Sequence, residues 1–267
     1  MWDFEHPPLS SSLAQRYRID YMTPAECAAR LVSGTADVGL IPIAALASAP
    51  TLRILPGCTI ASKDRVRSLL LVHRANQPLA EIRSVAADTA SRTTVTYARL
   101  LFHQWGNPEV PFIPMAANLD QMLKRAEAAI VIGDPALLAL EAREQREQRT
   151  GEELVYLDLA HEWRSLTGLV FVSAIWCASE TSTLDDSHVS DFLLSRDHGL
   201  ANIDALAAEW SVRLPLSAEL IRSYLASNIH YRLDQECLEG MKGFFRIAGE
   251  CGVLPPYSVS LNAELGV

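Results

Sequence analysis

The amino-acid sequence predicts an α/β protein that contains a parallel sheet. Short apolar runs typical of buried strands alternate along the chain with segments of helical periodicity, and this alternation is characteristic of parallel α/β sheets. The chain has 267 residues, of which 49% are hydrophobic. It can therefore bury a large core, in one big domain or in two ordinary ones.

Capping and apolar patterns define the first elements. Thr23-Pro24-Ala25-Glu26 is a capping box with proline at the first helical position, so a helix begins there and ends at Gly34. Apolar runs predict strands over residues 36–43 and 53–60. A third strand is predicted over residues 67–73, and Ser68 lies near its start.

Ser68 is a candidate functional residue. Its hydroxyl lies between two basic residues, Arg65 and Arg67, and an apolar run. From the residues alone, an ordinary strand serine is the simpler interpretation. Whether this hydroxyl faces a binding site stays open at this point.

A hydroxyl-rich turn joins the strand predicted over 84–87 to a helix whose apolar residues recur from Val95 until Gly106. The polar residues of the turn are Ser91, Arg92, Thr93 and Thr94. Backbone N–H groups, the helix dipole and side-chain hydroxyls converge at such a helix start, which suits a carboxylate or a phosphate. The alternative is that one hydroxyl only caps the helix, as serine and threonine commonly do.

Strands and helices continue to alternate in the second half of the chain. Asn118 is expected to cap a helix, residues 128–132 to form a strand, and Gly133-Asp134-Pro135 to open another helix. Asp134 could reach a cleft at the carboxyl end of its strand, although a role as helix cap is the simpler interpretation. The remaining predicted elements are a solvated helix end and loop (141–153), a strand (169–176) and four helices (185–196, 203–211, 217–229 and 234–251).

Composition excludes several classes of function. The formal net charge of -9 provides no broad positive field, so no nucleic-acid partner is expected. The five cysteines form no Cys-x-x-Cys pair and the seven histidines lack metal-ligand spacing, so no metal is expected. Nucleotide-binding and hydrolase motifs are missing from the sequence, so no cofactor is predicted. The lack of a secretory signal and of a long apolar run predicts a cytoplasmic protein without a membrane segment.

Several stretches, in sequence order, resemble one known family. They are residues 34–42, 67–72, 88–94, 132–137 and 163–171, supported by Tyr224-Leu225, Tyr231 and Leu238-Glu239-Gly240. Each stretch is common on its own, but the ordered set is specific and covers almost the whole chain. The chain resembles the menaquinone-pathway family that contains chorismate dehydratase and the related dihydroxynaphthoate synthase of the futalosine route.

The resemblance implies a two-lobed α/β fold like that of type II periplasmic binding proteins, with a ligand cleft between the lobes. The first lobe would comprise residues 1–71 and 177–267, and the second the inserted residues 72–176. The implied activity is that of a carbon–oxygen lyase. It would eliminate water from chorismate, a small dicarboxylate, to give 3-[(1-carboxyvinyl)oxy]benzoate.

The resemblance also assigns roles to candidate residues. Ser68 matches the family's active-site serine, and residues 91–94 match its anion-binding turn. Asp134 lies in a matching stretch and is included among the expected substrate-binding residues. No carboxylate or histidine stands out as a general base, so the substrate's own enolpyruvyl carboxylate is hypothesised to take the proton.

One departure from the family pattern concerns the start of the chain. Family members begin with a strand and an Asn-Thr-x-Pro-like segment whose asparagine belongs to the active site, whereas this chain starts at Met1-Trp2-Asp3-Phe4. We therefore expect the coding sequence upstream of Met1 to contain an in-frame strand that ends in Asn-Thr.

Two other functions stay open. A binding protein of the same architecture would hold a small carboxylate without changing it. The sibling 1,4-dihydroxy-6-naphthoate synthase would act on a cyclised futalosine derivative with the same two lobes. Formation of an aromatic product from chorismate distinguishes the dehydratase from a pure binding protein.

Overall fold

A computed structural model describes residues 1–88 and 91–259 of the chain. Residues 89, 90 and 260–267 lie outside the described part. They include two residues of the predicted 88–94 stretch and the end of the predicted first lobe.

The strands of the described part are β1 (Val38–Pro42), β2 (Arg53–Ser62), β3 (Leu69–Arg74), β4 (Val85–Asp88), β5 (Phe112–Met115), β6 (Ala128–Ile132), β7 (Leu154–Asp158) and β8 (Phe171–Ala178). Its helices are α1 (Trp2–Glu5), α2 (Ser10–Leu13), α3 (Pro24–Val32), α4 (Arg92–Gln104), α5 (Leu119–Arg125), α6 (Asp134–Glu141), α7 (Arg143–Thr150), α8 (Leu159–Thr167), α9 (Asp186–Ala201), α10 (Ile203–Arg213), α11 (Ala218–Ser223) and α12 (Gln235–Glu250). Two 3-10 turns, Ile43–Ser48 and Leu79–Glu81, and a π-helical turn, Tyr224–Asn228, complete the regular structure of these residues.

The strands form two sheets. The first has three strands in the order β1-β8-β2, and both of its pairs are antiparallel. The second has five strands in the order β5-β4-β6-β3-β7. In it β4 is parallel to β5 and β6, whereas β3 is antiparallel to β6 and β7. The predicted parallel arrangement therefore holds for β4, β5 and β6, whereas both pairs that β3 forms are antiparallel.

Two connections join the sheets. The chain passes from β2 to β3 through residues 63–68 and returns from β7 to β8 through α8. β3 pairs only within the five-stranded sheet and β8 only within the three-stranded sheet. The division into lobes of residues 1–71 with 177–267 and of residues 72–176 stays a prediction.

The largest hydrophobic cluster lies between the sheets and joins them. Tyr97 of α4 stacks on Phe171 of β8 with ring centroids 3.8 Å apart, and it contacts Trp163 of α8 edge-on at 4.8 Å. Its hydroxyl accepts a hydrogen bond from the Val172 N–H at 3.2 Å. All of these side chains are fully buried, so both sheets and the returning helix share one core.

Most predicted elements lie within a few residues of their expected bounds. β6 coincides with the predicted strand, and the capping box at Thr23 is formed, with Glu26 N–H donating to Thr23 Oγ1 at 3.3 Å. β5, β7 and α8 were not predicted, and the polar stretch 141–153 contains the helix α7. Good helix formers and the ion pairs of Arg146 with Asp120 (2.8 Å) and Glu152 (2.9 Å) support this polar helix. Among the described helices, none has the length and apolar content needed to cross a membrane.

His73 makes the stability of the fold sensitive to pH. Its ring is buried in β3, with Nδ1 3.0 Å from the Arg74 carbonyl oxygen, and burial lowers its pKa from 6.5. As the pH falls below 6.5, the unfolded chain binds a proton that the native state does not, so the free energy of unfolding is expected to fall by up to about 1.4 kcal/mol per pH unit.

Urea denaturation at pH 7.5 and 5.5 measures this effect. The His73→Gln variant should show a smaller loss of stability between the two pH values than the wild-type chain. His103→Gln, which changes an exposed histidine on α4, should leave the wild-type pH dependence in place. An unchanged pH dependence in His73→Gln would show that this histidine is not responsible.

Candidate active site

Three segments that carry candidate residues meet at one edge of the five-stranded sheet. β4 and β6 are parallel and both end at this edge, while β3 begins there because it is antiparallel to β6. Leu69 lies opposite Ile132, which brings Ser68 level with Gly133. Neighbouring strands are separated by about 4.8 Å, so the start of β3 and the end of β4, with β6 between them, lie about 10 Å apart. Ligands bind at such strand ends in open α/β sheets.

Ser68 is held at this edge from two sides. Its backbone carbonyl accepts a hydrogen bond from the Gly133 N–H at 2.7 Å, and Tyr224 Oη donates to its Oγ at 3.0 Å. The side chain is buried. Because Tyr224 supplies the hydrogen of this bond, the hydroxyl hydrogen of Ser68 can be directed to another acceptor.

Tyr224 reaches Ser68 from the π-helical turn after α11. Such turns occur frequently at functional sites. Burial raises the pKa of Tyr224; the hydrogen bond to Ser68 opposes this effect and the Asp134 carboxylate adds to it. Tyr224 therefore stays a protonated hydrogen-bond donor at neutral pH.

The hydroxyl-rich turn begins α4, with Ser91 as the N-cap. Ser91 Oγ accepts hydrogen bonds from the Thr94 N–H at 3.2 Å and from Thr94 Oγ1 at 3.1 Å. The prediction that a hydroxyl of this turn caps the helix is thus confirmed for Ser91. Thr93 and Thr94 are buried, whereas Arg92 is exposed. The N–H groups of Arg92 and Thr93 have no acceptor inside the helix, so they can still bind an anion.

Thr93 connects this turn to the three-stranded sheet. Its Oγ1 accepts a hydrogen bond from the Ala44 N–H at 3.1 Å, and both groups are buried. Ala44 belongs to the 3-10 turn Ile43–Ser48 directly after β1. The start of α4 therefore faces a strand end of the other sheet, and elements of both sheets meet here.

Asp134 lies beside the same edge but does not cap its helix. Gly133 occupies the N-cap position with φ 71°, a conformation that favours glycine, and Asp134 is the exposed first residue of α6. The simpler interpretation of Asp134 as the cap is therefore wrong. Asp134 directly follows Gly133, whose N–H group donates to the Ser68 carbonyl, so it lies beside the Ser68 segment. There it can accept a hydrogen bond from a ligand hydroxyl.

A cavity of about 220 Å³ lies elsewhere, between the three-stranded sheet and the helices α1, α9 and α10. Its walls include Leu40, Trp176, Phe192 and Ile203, and Leu225 and Tyr231 bring it close to the turn that carries Tyr224. None of the predicted site residues, all of which the structure describes, lines this cavity. We assign the candidate site to the sheet edge, because the Ser68 hydroxyl, Tyr224 and the N–H groups at the start of α4 lie there and can bind an anion.

His230, Asp234 and Cys237 place possible metal-ligand atoms within 4.8 Å of one another. The Lys63 ammonium already lies 2.8 Å from Asp234 Oδ2 and 2.9 Å from Glu236 Oε2. Burial, reinforced by Asp234, raises the pKa of the Cys237 thiol to about 12, while metal binding requires the thiolate. This cluster fits an ion-pair network at the start of α12 better than a metal centre.

Structures of similar fold are known. Protein AF1704 from Archaeoglobus fulgidus has a TM-score of 0.66 at 13% identity, covering 95% of this chain and 94% of that chain. The periplasmic aliphatic sulphonate binding protein SsuA from Escherichia coli has a TM-score of 0.59 at 15% identity, covering 97% and 86%. A Candida albicans protein with the generic periplasmic binding protein fold has a TM-score of 0.59 at 14% identity, covering 92% and 84%.

These similarities and the two sheets define a protein with the two-lobed α/β fold of periplasmic binding proteins. The sequence profile of the menaquinone biosynthesis family matches residues 3–250. The chain belongs to that family, which supports a role in menaquinone biosynthesis.

Two residues of this region had little or no signal in the sequence. Tyr224 lies in a stretch that resembles the family, but no local pattern indicates its contact with Ser68, 156 residues away. Asp158, which binds the backbone just before Ser68, is not among the residues predicted from the sequence. An aspartate before a helix is a recognisable capping signal, so α8 could have been predicted, but not the second contact of this carboxylate.

Proposed function

We propose that the chain is a chorismate dehydratase, a carbon–oxygen lyase of the cytoplasm that needs no cofactor. One observation carries the proposal: in a member of the menaquinone biosynthesis family, the Ser68 hydroxyl, Tyr224 and the start of α4 converge on one sheet edge. The five cysteines are free thiols, as a reducing compartment requires. The substrate lies between the two proposed lobes, residues 1–71 with 177–267 and residues 72–176.

The reaction removes a ring proton and the ring hydroxyl of chorismate as water. The C–H bond at the ring carbon that bears the enolpyruvyl ether is acidified through conjugation to the ring carboxylate. Its electron pair forms the new ring double bond as the C–O bond to the ring hydroxyl, on the next carbon, breaks. The product, 3-[(1-carboxyvinyl)oxy]benzoate, is aromatic, which supplies much of the driving force. The protein therefore has to orient the carboxylates and stabilise the charge that develops as the proton leaves.

Four of the candidate residues contact the substrate in this proposal. The Ser68 hydroxyl donates to the substrate near the reacting carbon, while the N–H groups of Arg92 and Thr93 hold one carboxylate at the helix start. The exposed Asp134 carboxylate accepts a hydrogen bond from the ring hydroxyl. The substrate's enolpyruvyl carboxylate takes the ring proton and gives it to the departing ring hydroxyl, which leaves as water, so no protein base is needed.

Tyr224→Phe is expected to lower kcat for chorismate about fivefold. The phenylalanine keeps the ring packing but removes the donor that fixes the Ser68 hydroxyl, and a hydrogen bond of this kind contributes about 1 kcal/mol. Steady-state kinetics measure the change. Tyr257→Phe, which changes another partly buried tyrosine outside the site, is the matched control and should keep wild-type kcat. Equal kcat values for Tyr224→Phe and the wild type would contradict this role.

The proposed function is tested by incubating the chain with chorismate and following the mixture by proton NMR. The dehydratase yields the signals of a 1,3-disubstituted benzoate in an amount that grows with enzyme concentration. Saturable binding of chorismate without any new aromatic signal identifies a binding protein instead. Turnover of a cyclised futalosine derivative, with chorismate left intact, identifies the sibling synthase.

A further inference from the structure

The carboxylate of Asp158 binds two separate segments of backbone. Its Oδ1 accepts hydrogen bonds from the N–H groups of Ala160 (3.1 Å) and His161 (3.2 Å) and so caps α8. Its Oδ2 accepts hydrogen bonds from the N–H groups of Val66 (3.0 Å) and Arg67 (2.6 Å). The side chain is buried, with 5% exposed. A helix cap uses only the first pair, so the second pair needs another explanation.

One hydrogen bond of the second pair involves a residue, Arg67, whose backbone conformation is rarely adopted. Arg67 has φ 64°, and within residues 1–88 and 91–259 no other non-glycine residue has positive φ. Side chains other than glycine are strained in this region, and such a conformation persists only when its surroundings enforce it. Asp158 Oδ2 accepts a hydrogen bond from the N–H group of this strained residue, and Arg67 immediately precedes Ser68.

Asp158 lies where the two connections between the sheets come together. Residues 63–68 form the first connection between the sheets, and Asp158 ends β7 where the second connection, α8, begins. In the register of the five-stranded sheet, Asp158 lies opposite Leu70 of β3. One buried carboxylate therefore ties both connections together next to Ser68.

We propose that Asp158 is a positioning residue for Ser68: its Oδ2 holds Arg67 in the left-handed conformation and thereby turns the Ser68 hydroxyl toward Tyr224 and the sheet edge. The inference rests on the proposed function for its catalytic consequence. The positioning itself is a property of the backbone and does not depend on which molecule is bound.

The Asp158→Asn and Asp158→Ser variants test the proposal. Asparagine and serine are both good helix caps, so α8 keeps its N-terminal hydrogen bond. Neither can accept hydrogen bonds from both segments: the amide of asparagine would present a donor to one of them, and serine is too short to span both. We expect both variants to fold, and to convert chorismate with kcat lowered at least tenfold and with KM little changed.

A second substitution separates positioning from a general loss of structure. Arg67→Gly removes the strain at φ 64°, because glycine adopts positive φ freely. Asp158→Asn should therefore lower kcat much less in the Arg67→Gly background than in the wild-type chain. Arg67→Ala is the matched control, since it removes the same side chain but keeps the strain, and it should give no such rescue. An equal loss of kcat in the glycine and alanine backgrounds would overturn the proposal.

Amide hydrogen exchange provides a readout that does not need turnover. In the wild-type chain the Val66 and Arg67 amides should be protected, and Asp158→Ser should expose them to exchange while the amides of α8 stay protected. Unchanged exchange at Val66 and Arg67 would refute the positioning role. If the wild-type chain does not convert chorismate but this exchange pattern is found, the proposed function fails and the role of Asp158 in holding the backbone stands.

Discussion

Replacing Ser68 by alanine is expected to lower kcat for chorismate about 10²- to 10³-fold, the usual cost of removing one donor that stabilises developing charge. KM should change little, because the hydroxyl acts on charge that is present mainly in the transition state. The side chain is buried, and within the described residues its Oγ is hydrogen-bonded to Tyr224 alone, so the smaller alanine fits without rearrangement of β3. Steady-state kinetics with NMR detection of the aromatic product measure the loss.

Ser190→Ala is the control for this variant. Ser190 is an exposed serine on α9 whose hydroxyl donates to the Asp186 carbonyl within its own helix, so wild-type kinetics are expected. A Ser68→Ala protein with undiminished kcat would remove Ser68 from the proposed mechanism.

Replacing Trp163 by alanine is expected to lower the free energy of unfolding by about 3–5 kcal/mol, the range found when large aromatic residues are truncated in a packed core. The indole is fully buried and contacts Tyr97, whose hydroxyl in turn binds the Val172 backbone. The cavity left behind would lie where α4, α8 and β8 meet, so both sheets lose contacts. Urea denaturation followed by circular dichroism measures the change.

Trp163→Phe is expected to cost less than half as much as the alanine variant. Within the described residues Trp163 Nε1 is buried and has no hydrogen-bond partner, and phenylalanine removes this unsatisfied donor while it keeps most of the ring contacts. A loss below about 1 kcal/mol for Trp163→Ala would mean that this residue is not part of the packed core described here.

Elements with a clear local signal could be predicted from the sequence. The capping residues Thr23 and Asn118 begin helices as expected, and the apolar run of β6 was placed at its observed bounds. The strands β5 and β7 are short and only partly buried. β7 carries the apolar run 154–157 and could have been predicted from it. β5 contains Pro114, which disfavours a strand prediction. The direction of β3 could not be predicted either, because it depends on the connection from the other sheet.

In the candidate site, too, the sequence indicates single residues but not the contacts between them. The Ser68 hydroxyl and the turn at residues 91–94 were recognised by residue type and by resemblance. Their contacts were not, because Tyr224 and Asp158 reach the Ser68 segment from 156 and 91 residues away. Such contacts depend on sheet order and on a strained residue, Arg67, that no local pattern reveals.

A crystal structure of the chain with 3-[(1-carboxyvinyl)oxy]benzoate, the proposed product, tests the central claim most directly. The account predicts a bound molecule at the edge where β4 and β6 end, with Ser68 Oγ and the N–H groups of Arg92 and Thr93 within hydrogen-bond distance of its oxygen atoms. A molecule found instead in the cavity beside Trp176 and Phe192, with no contact to Ser68, would contradict the account.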